Sequence, residues 1–306
     1  VTSGALYLKT AGRPGVLAVL AHDAVRLPCG LLLPTTSAQL PLTSLAASPL
    51  VPWAEFMVGD GAVSWTGPAG PVVVRAVREW APARPARGEV AASALGTLRA
   101  RLRGADPAAD SPLLADLAAA AADHEASAAA AVSLLGRGPG LTPSGDDVLT
   151  GFLVGAAAFG LEAAALREAT TVLAPARTTA LSAALLWLAA RGECIDELAA
   201  VVAVLTSQGQ GRTEEECRAE GDCRSEGECR AAGDCRSEGH GGHAGRGQAG
   251  LAVCRLLSVG HTSGAALGLG LVIAAEGALR ARAERLPRAA RLRVGATAAA
   301  SGGRAA

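Results

Sequence analysis

The sequence predicts an α+β chain: an N-terminal β-rich domain at 1–88, then an Ala-rich helical domain at 89–285. Three observations carry this. Short apolar runs punctuated by Gly, Pro and Ser fill the stretch before Ala81. Pro82 and Pro85, with Arg84 and Arg87, break the chain at Ala81–Gly88 and read as a linker. Beyond it the segments are long and rich in Ala and Leu. Hydrophobic residues are 50% of the chain but aromatics only 3%, so the core must be built from Ala, Leu and Val. Ala favours helix because it loses no side-chain entropy there.

The expected strands are Leu6–Lys9, Val16–Leu20, Gly30–Leu33, Glu55–Val58, Val63–Trp65 and the β-branched run Val72–Val77, which ends near Trp80. Such runs suit a small sheet or a barrel-like arrangement. The expected helices begin with Ala91–Leu102, stopped by Gly104 and Pro107. A long helix follows over Ser111–Leu135, with Ser111 as cap and Pro112 at its first position, where the missing N–H is no loss. Then come Pro143–Phe159, Leu161–Leu173, Ala176–Arg191, Ile195–Leu205 and Ser263–Ala283.

Between the last two lies 207–250, where Glu216–Gly227 is nearly repeated by Glu228–Gly239 and carries Cys217, Cys223, Cys229 and Cys235. Cys-x5-Cys is not the close pair of structural zinc sites. The segment has too few apolar residues to offset the entropy of ordering, so it reads as a disordered insertion. Metal binding through these Cys with His240 and His243 is the lesser alternative. The tail at 286–306, rich in Arg, Ala and Gly, reads as loosely ordered.

Lys plus Arg equals Asp plus Glu at 28 each, and no basic stripe carries interleaved aromatics, so nucleic acid is not an expected partner. Arg13, His22 and Asp23 interrupt the first thirty or so residues, against a secretory signal. Val148–Leu166 is the best membrane candidate, but with Glu162 and its Ala/Gly content a buried core helix is the better reading, and no membrane role is expected. Cys29, Cys194 and Cys254 are scattered, and the odd total of seven Cys suits reduced thiols in the cytoplasm.

The chemistry concentrates in Gly136–Gly151, GRGPGLTPSGDDVLTG. Gly138 and Gly140 permit unusual backbone angles. Thr142 before Pro143 is a good helix start, and Ser144 to Asp147 fits a capping box. Backbone N–H groups near Gly138, Gly140, Ser144 and Gly145, with the planar fork of Arg137, could hold an anion. Asp146 and Asp147 in the first turn would repel a bare anion. They suit a ligand offering N–H donors, or a Mg²⁺ bridging them to an anion, and no other cofactor is expected. The same residues have a purely structural reading: first-turn acids stabilise a helix through its dipole, and the glycines make a tight connection.

A weaker echo is Leu257–Gly264, LSVGHTSG, before a second apolar helix. Aligning Ser144-Gly145 with Ser263-Gly264 puts Gly151 on Gly270. Both helix starts could face one cavity, making Thr262, Ser263 and Gly264 ligand candidates and His261 a candidate acid or base, unless it merely caps or packs. Thr179 and Ser182, three apart on the expected helix Ala176–Arg191, share a face and are further ligand candidates; their hydroxyls could equally bond back to the helix. Fingerprints for dinucleotides, P-loop phosphates and the serine nucleophile elbow are absent from the sequence.

The motif GPGLTPSGDD at 138–147, with GHTSG at 260–264, resembles a bacterial family that includes the AllH-type subunit of oxamate carbamoyltransferase. The resemblance extends over about residues 5–280 apart from the repeat. It implies a subunit of a multi-subunit carbamoyltransferase in purine and allantoin nitrogen catabolism. That reaction is phosphorolysis of carbamoyl-oxamate to oxamate and carbamoyl phosphate. The implied partners are a small carbamoyl or oxo-acid ligand and other protein subunits, and the implied place is the cytoplasm. Two rival readings are a non-catalytic metabolite-binding or assembly subunit and a metal-dependent hydrolase. Ala265 and Ala266 depart from the pattern, because relatives often carry an acid there.

Overall fold

A computed structural model describes residues 4–39, 55–67, 70–103, 112–120, 123–206 and 244–285. The repeat at 207–243, Ser111, the Gly104–Pro107 stop and the tail at 286–306 lie outside the described residues.

The N-terminal part is β-rich, but as two separate three-stranded sheets. In the first, β1 (Ala5–Lys9) pairs antiparallel with β2 (Val16–Leu20), and β2 pairs parallel with β3 (Gly30–Leu32). Alternation along β2 buries Val16, Ala18 and Leu20 on one face. That face packs on a helix of the second part: Leu20 and Ala18 cluster with Leu188, and Val16 with Leu181 and Ala184. The second sheet is the meander β4 (Phe56–Gly59), β5 (Ala62–Gly67) and β6 (Gly70–Arg75). It leaves Met57, Val58 and Val73 exposed.

The helical part comprises α1 (Ala92–Leu102), α2 (Pro112–Ala120), α3 (His124–Leu134), α4 (Ser144–Phe159), α5 (Ala164–Arg177), α6 (Ala180–Ala189), α7 (Asp196–Leu205), α8 (Ala244–Leu257) and α9 (Ser263–Arg285). Three expectations need correction. The single helix over Ser111–Leu135 is two, because Asp123 turns extended and caps α3 by accepting the Ala126 N–H. The helix over Ala176–Arg191 breaks at Thr178 and Thr179, both extended, so α5 ends and α6 begins there. The insertion expected to be disordered over 207–250 is not so at its end: residues 244–250 are the first half of α8, which their Gly-rich polar composition concealed.

The core of this part is the crossing of α4 and α9. It is a backbone-to-backbone approach, and glycine permits it. A Cβ on Gly151 would lie 2.0 Å from Leu267 O, and one on Gly270 would lie 1.9 Å from Val148 O. The two contacts are reciprocal, as in a local two-fold. Each helix also starts close to the end of the one before it: a Cβ on Gly145 would meet Leu134 O at 2.2 Å, and one on Gly264 would meet Leu256 O at 1.8 Å. Among the described residues α9 is long and apolar enough to cross a membrane, but 67% of that window is buried inside the fold, as befits a core helix.

Candidate functional site

The two Gly-rich turns meet. Thr142 Oγ1 and Ser263 Oγ lie 3.1 Å apart. Beside this contact opens a cavity of about 290 Å³. Its floor is the start of α4 and of α9, through Thr142, Asp147, Thr150, Ser263 and Leu267. One wall is α6 with the start of α7, through Leu185, Cys194 and Leu198. The first sheet and the loop between β2 and β3 close the other side with Tyr7, Leu20 and Leu27. The site therefore lies where the β-rich and helical parts pack, and neither part makes it alone.

Asp146 and Asp147 have different surroundings. Asp146 is buried, and both oxygens are engaged by the protein: Oδ1 accepts from the Gly136 N–H at 2.8 Å, and Oδ2 accepts from the Thr178 hydroxyl. It clamps the start of α4 to the turn and to the α5–α6 junction, and it does not line the cavity. Asp147 does line the cavity. It is only 5% exposed, and its Oδ2 has no hydrogen-bond partner among the described residues. Burial pushes its pKa from 3.8 up to about 7; hydrogen bonds from Ser263 and Thr142 oppose this, and the charge of Asp146 adds to it. An unpaired buried carboxyl oxygen is costly unless a ligand or proton satisfies it.

The other expected site residues divide sharply. Thr142 and Ser263 reach the cavity. Thr142 does not cap α4, whose cap position is Pro143 with no side-chain bond, so the capping box is not formed. Arg137, Gly138 and Gly140 are exposed and outside the lining; the Arg137 Nε donates to Ser133 O at 3.3 Å, within its own helix end. Ser144 and Gly145 are packing residues of the helix start. The N–H groups of Gly145, Asp146 and Asp147 donate to the carbonyls of Arg137 and Pro143, so none of the three is spare for an anion. Thr179 caps α6: its Oγ1 accepts the Ser182 N–H at 3.1 Å and donates to Leu141 O at 2.5 Å, which ties the first turn to α6. Ser182 is buried and outside the lining. His261 is exposed to solvent and also outside it, although Val259, Gly260 and Ser263 of the same turn line the cavity. Thr262 and Gly264 are not in the lining either; Gly264 is spent on the approach to Leu256.

Two lining residues had no signal in the sequence. Glu193 is buried, and its Oε1 takes an ion pair from Arg84 and a longer one, 3.7 Å, from Arg191, which also stacks on Trp187. Cys194 donates to Ala83 O, and burial pushes its thiol up to about 12, so it is no nucleophile near neutrality. Among the described residues no three His, Cys, Asp or Glu converge as a metal site, and the engagement of Asp146 leaves the aspartate pair only one carboxylate to offer a cation.

Residues 134–221 match the family of oxamate carbamoyltransferase subunit AllH. The expected resemblance is borne out over this stretch, which is narrower than residues 5–280 and spans less than a third of the chain. The AllH match begins at the end of α3 and takes in the first turn, Asp146, Asp147, Glu193 and Cys194. The second turn lies outside it. No curated protein and no solved structure matches the chain.

Proposed function

We propose that this chain is a subunit of a carbamoyltransferase-like complex, cytoplasmic and acting in purine or allantoin nitrogen catabolism, and that it holds a small carbamoyl compound in the cavity at Asp147. The observation that carries this reading is a coincidence of two things. The stretch matching the AllH subunit family contains Asp147, among the described residues the one cavity-lining carboxyl with a buried oxygen that lacks a hydrogen-bond partner. Asp147 then binds or orients the carbamoyl group, with Thr142 and Ser263 supplying hydroxyls beside it. The reaction is phosphorolysis of carbamoyl-oxamate, or of a related carbamoyl or oxo-acid compound, completed with other subunits.

A second reading is a metabolite-binding or assembly subunit without chemistry of its own. One observation favours it: among the described lining residues the only thiol is Cys194, raised far above neutrality, and His261 lies elsewhere. The test is turnover of carbamoyl-oxamate with phosphate by the complex purified with its partner subunits. Asp147→Asn should abolish turnover while the complex still assembles. Full turnover in that variant would refute a chemical role and leave the assembly reading.

A further inference from the structure

The charged residues lining the cavity are Asp147 and Glu193; no Lys, Arg or His lines it among the described residues. Glu193 already has Arg84 and Arg191 on its Oε1. Helix N-termini open toward the cavity, which would ordinarily favour an anion. At the start of α4, however, the N–H groups of Gly145, Asp146 and Asp147 are bonded to backbone carbonyls, and at the start of α9 so are those of Gly264 and Ala266. An anion placed here would face a carboxyl without a compensating cation. Most of the remaining wall is apolar, with Leu20, Leu27, Leu185, Ile195 and Leu267, and its other hydroxyls, on Tyr7 and Thr150, are uncharged. Against this stands Asp147, nine-tenths or more buried, with Oδ2 lacking a donor.

We infer that the cavity binds the uncharged carboxamide or carbamoyl end of a ligand, with the amide N–H groups on the carboxyl of Asp147 and no ionised group of the ligand inside the cavity. The Thr142 and Ser263 hydroxyls are bonded to each other at 3.1 Å, which uses one of their two hydrogens; the other turns from Asp147 to donate to the amide oxygen. This rests on the cavity being a ligand site, as proposed above, but not on the reaction. It places any phosphate or free carboxylate outside this cavity, toward its mouth or on another subunit. A site that hydrogen-bonds an N–H rejects the analogue lacking it, because the buried acceptor is left unpaired.

The test uses the full chain and two probes with the same apolar body, butyramide and butyrate, with oxamate as a compact anion, titrated by calorimetry near pH 7. Butyramide should bind at least tenfold tighter than butyrate, with oxamate weaker still. Asp147→Leu should weaken butyramide at least tenfold. Leu185→Trp, which fills the cavity from the α6 wall and keeps the carboxyl of Asp147, should abolish its binding. Butyrate or oxamate binding as tightly as butyramide would overturn the inference, and so would butyramide affinity unchanged in Asp147→Leu, or no binding of butyramide at all. The functional proposal fails separately: it falls if Asp147→Asn leaves the turnover of the assembled complex intact, whatever the amide selectivity.

Discussion

The two turns that open α4 and α9 share one packing solution and differ in chemistry. Each begins with a hydroxyl and a glycine, Ser144-Gly145 and Ser263-Gly264, and each of those glycines lies on the carbonyl that ends the preceding helix. About two turns into each helix, Gly151 and Gly270 make the reciprocal approach that lets the helices cross at backbone distance. Under the same alignment Asp146 and Asp147 stand opposite Ala265 and Ala266, which are buried as plain core. Packing needs the glycines on both sides. The carboxyls occur on only one, so the geometry of the helix start does not account for them.

If that separation is right, the glycines should govern stability and Asp147 should govern ligand binding. Gly151→Ala or Gly270→Ala drives a methyl group into a backbone carbonyl, and should cost about 3 kcal/mol or more, seen in chemical denaturation. Gly96→Ala, on an open face of α1, should instead raise stability by up to about 1 kcal/mol. Asp146→Asn loosens the clamp to Gly136 and Thr178 and should cost about 1–3 kcal/mol.

Asp147 should make stability fall as pH rises. Its folded pKa of about 7 lies above the ordinary 3.8, so the folded state holds the proton more tightly between those values. The contribution is complete at acid pH and is lost through about pH 7, with a slope of at most about 1.4 kcal/mol per pH unit. Denaturant midpoints measured from about pH 4 to 8 should show that slope in the wild type and lack it in Asp147→Asn. The smallest effect is expected at His261: its exposed position should keep His261→Ala within about 0.5 kcal/mol of wild type.

The sequence made the architecture legible where composition changes abruptly. The first strands follow the alternating apolar runs, and α4 and α9 follow two long apolar segments with glycines at matching positions. Asp147 stood out because a carboxylate pair before an apolar helix is more polar chemistry than a cap requires. What separates Asp146 from Asp147 was not legible, because it depends on Thr178 arriving from a helix break thirty-two residues later. That break was hidden because Thr178 and Thr179 sit in an otherwise helical composition. Glu193 was silent for a similar reason: its partner Arg84 comes from the distant linker, brought beside it by the bridge between Ala83 and Cys194. Arg137 and His261 misled because a residue beside a glycine in a turn can point either way, and both point outward.

The division of labour between the adjacent aspartates is most directly tested by melting Asp146→Leu and Asp147→Leu side by side, each alone and with saturating butyramide. Asp146→Leu should melt lower than wild type yet keep the upward shift caused by the amide, whereas Asp147→Leu should melt at or above wild type and lose that shift. A shift lost in Asp146→Leu and retained in Asp147→Leu would contradict the assignment and put the ligand at the other carboxyl.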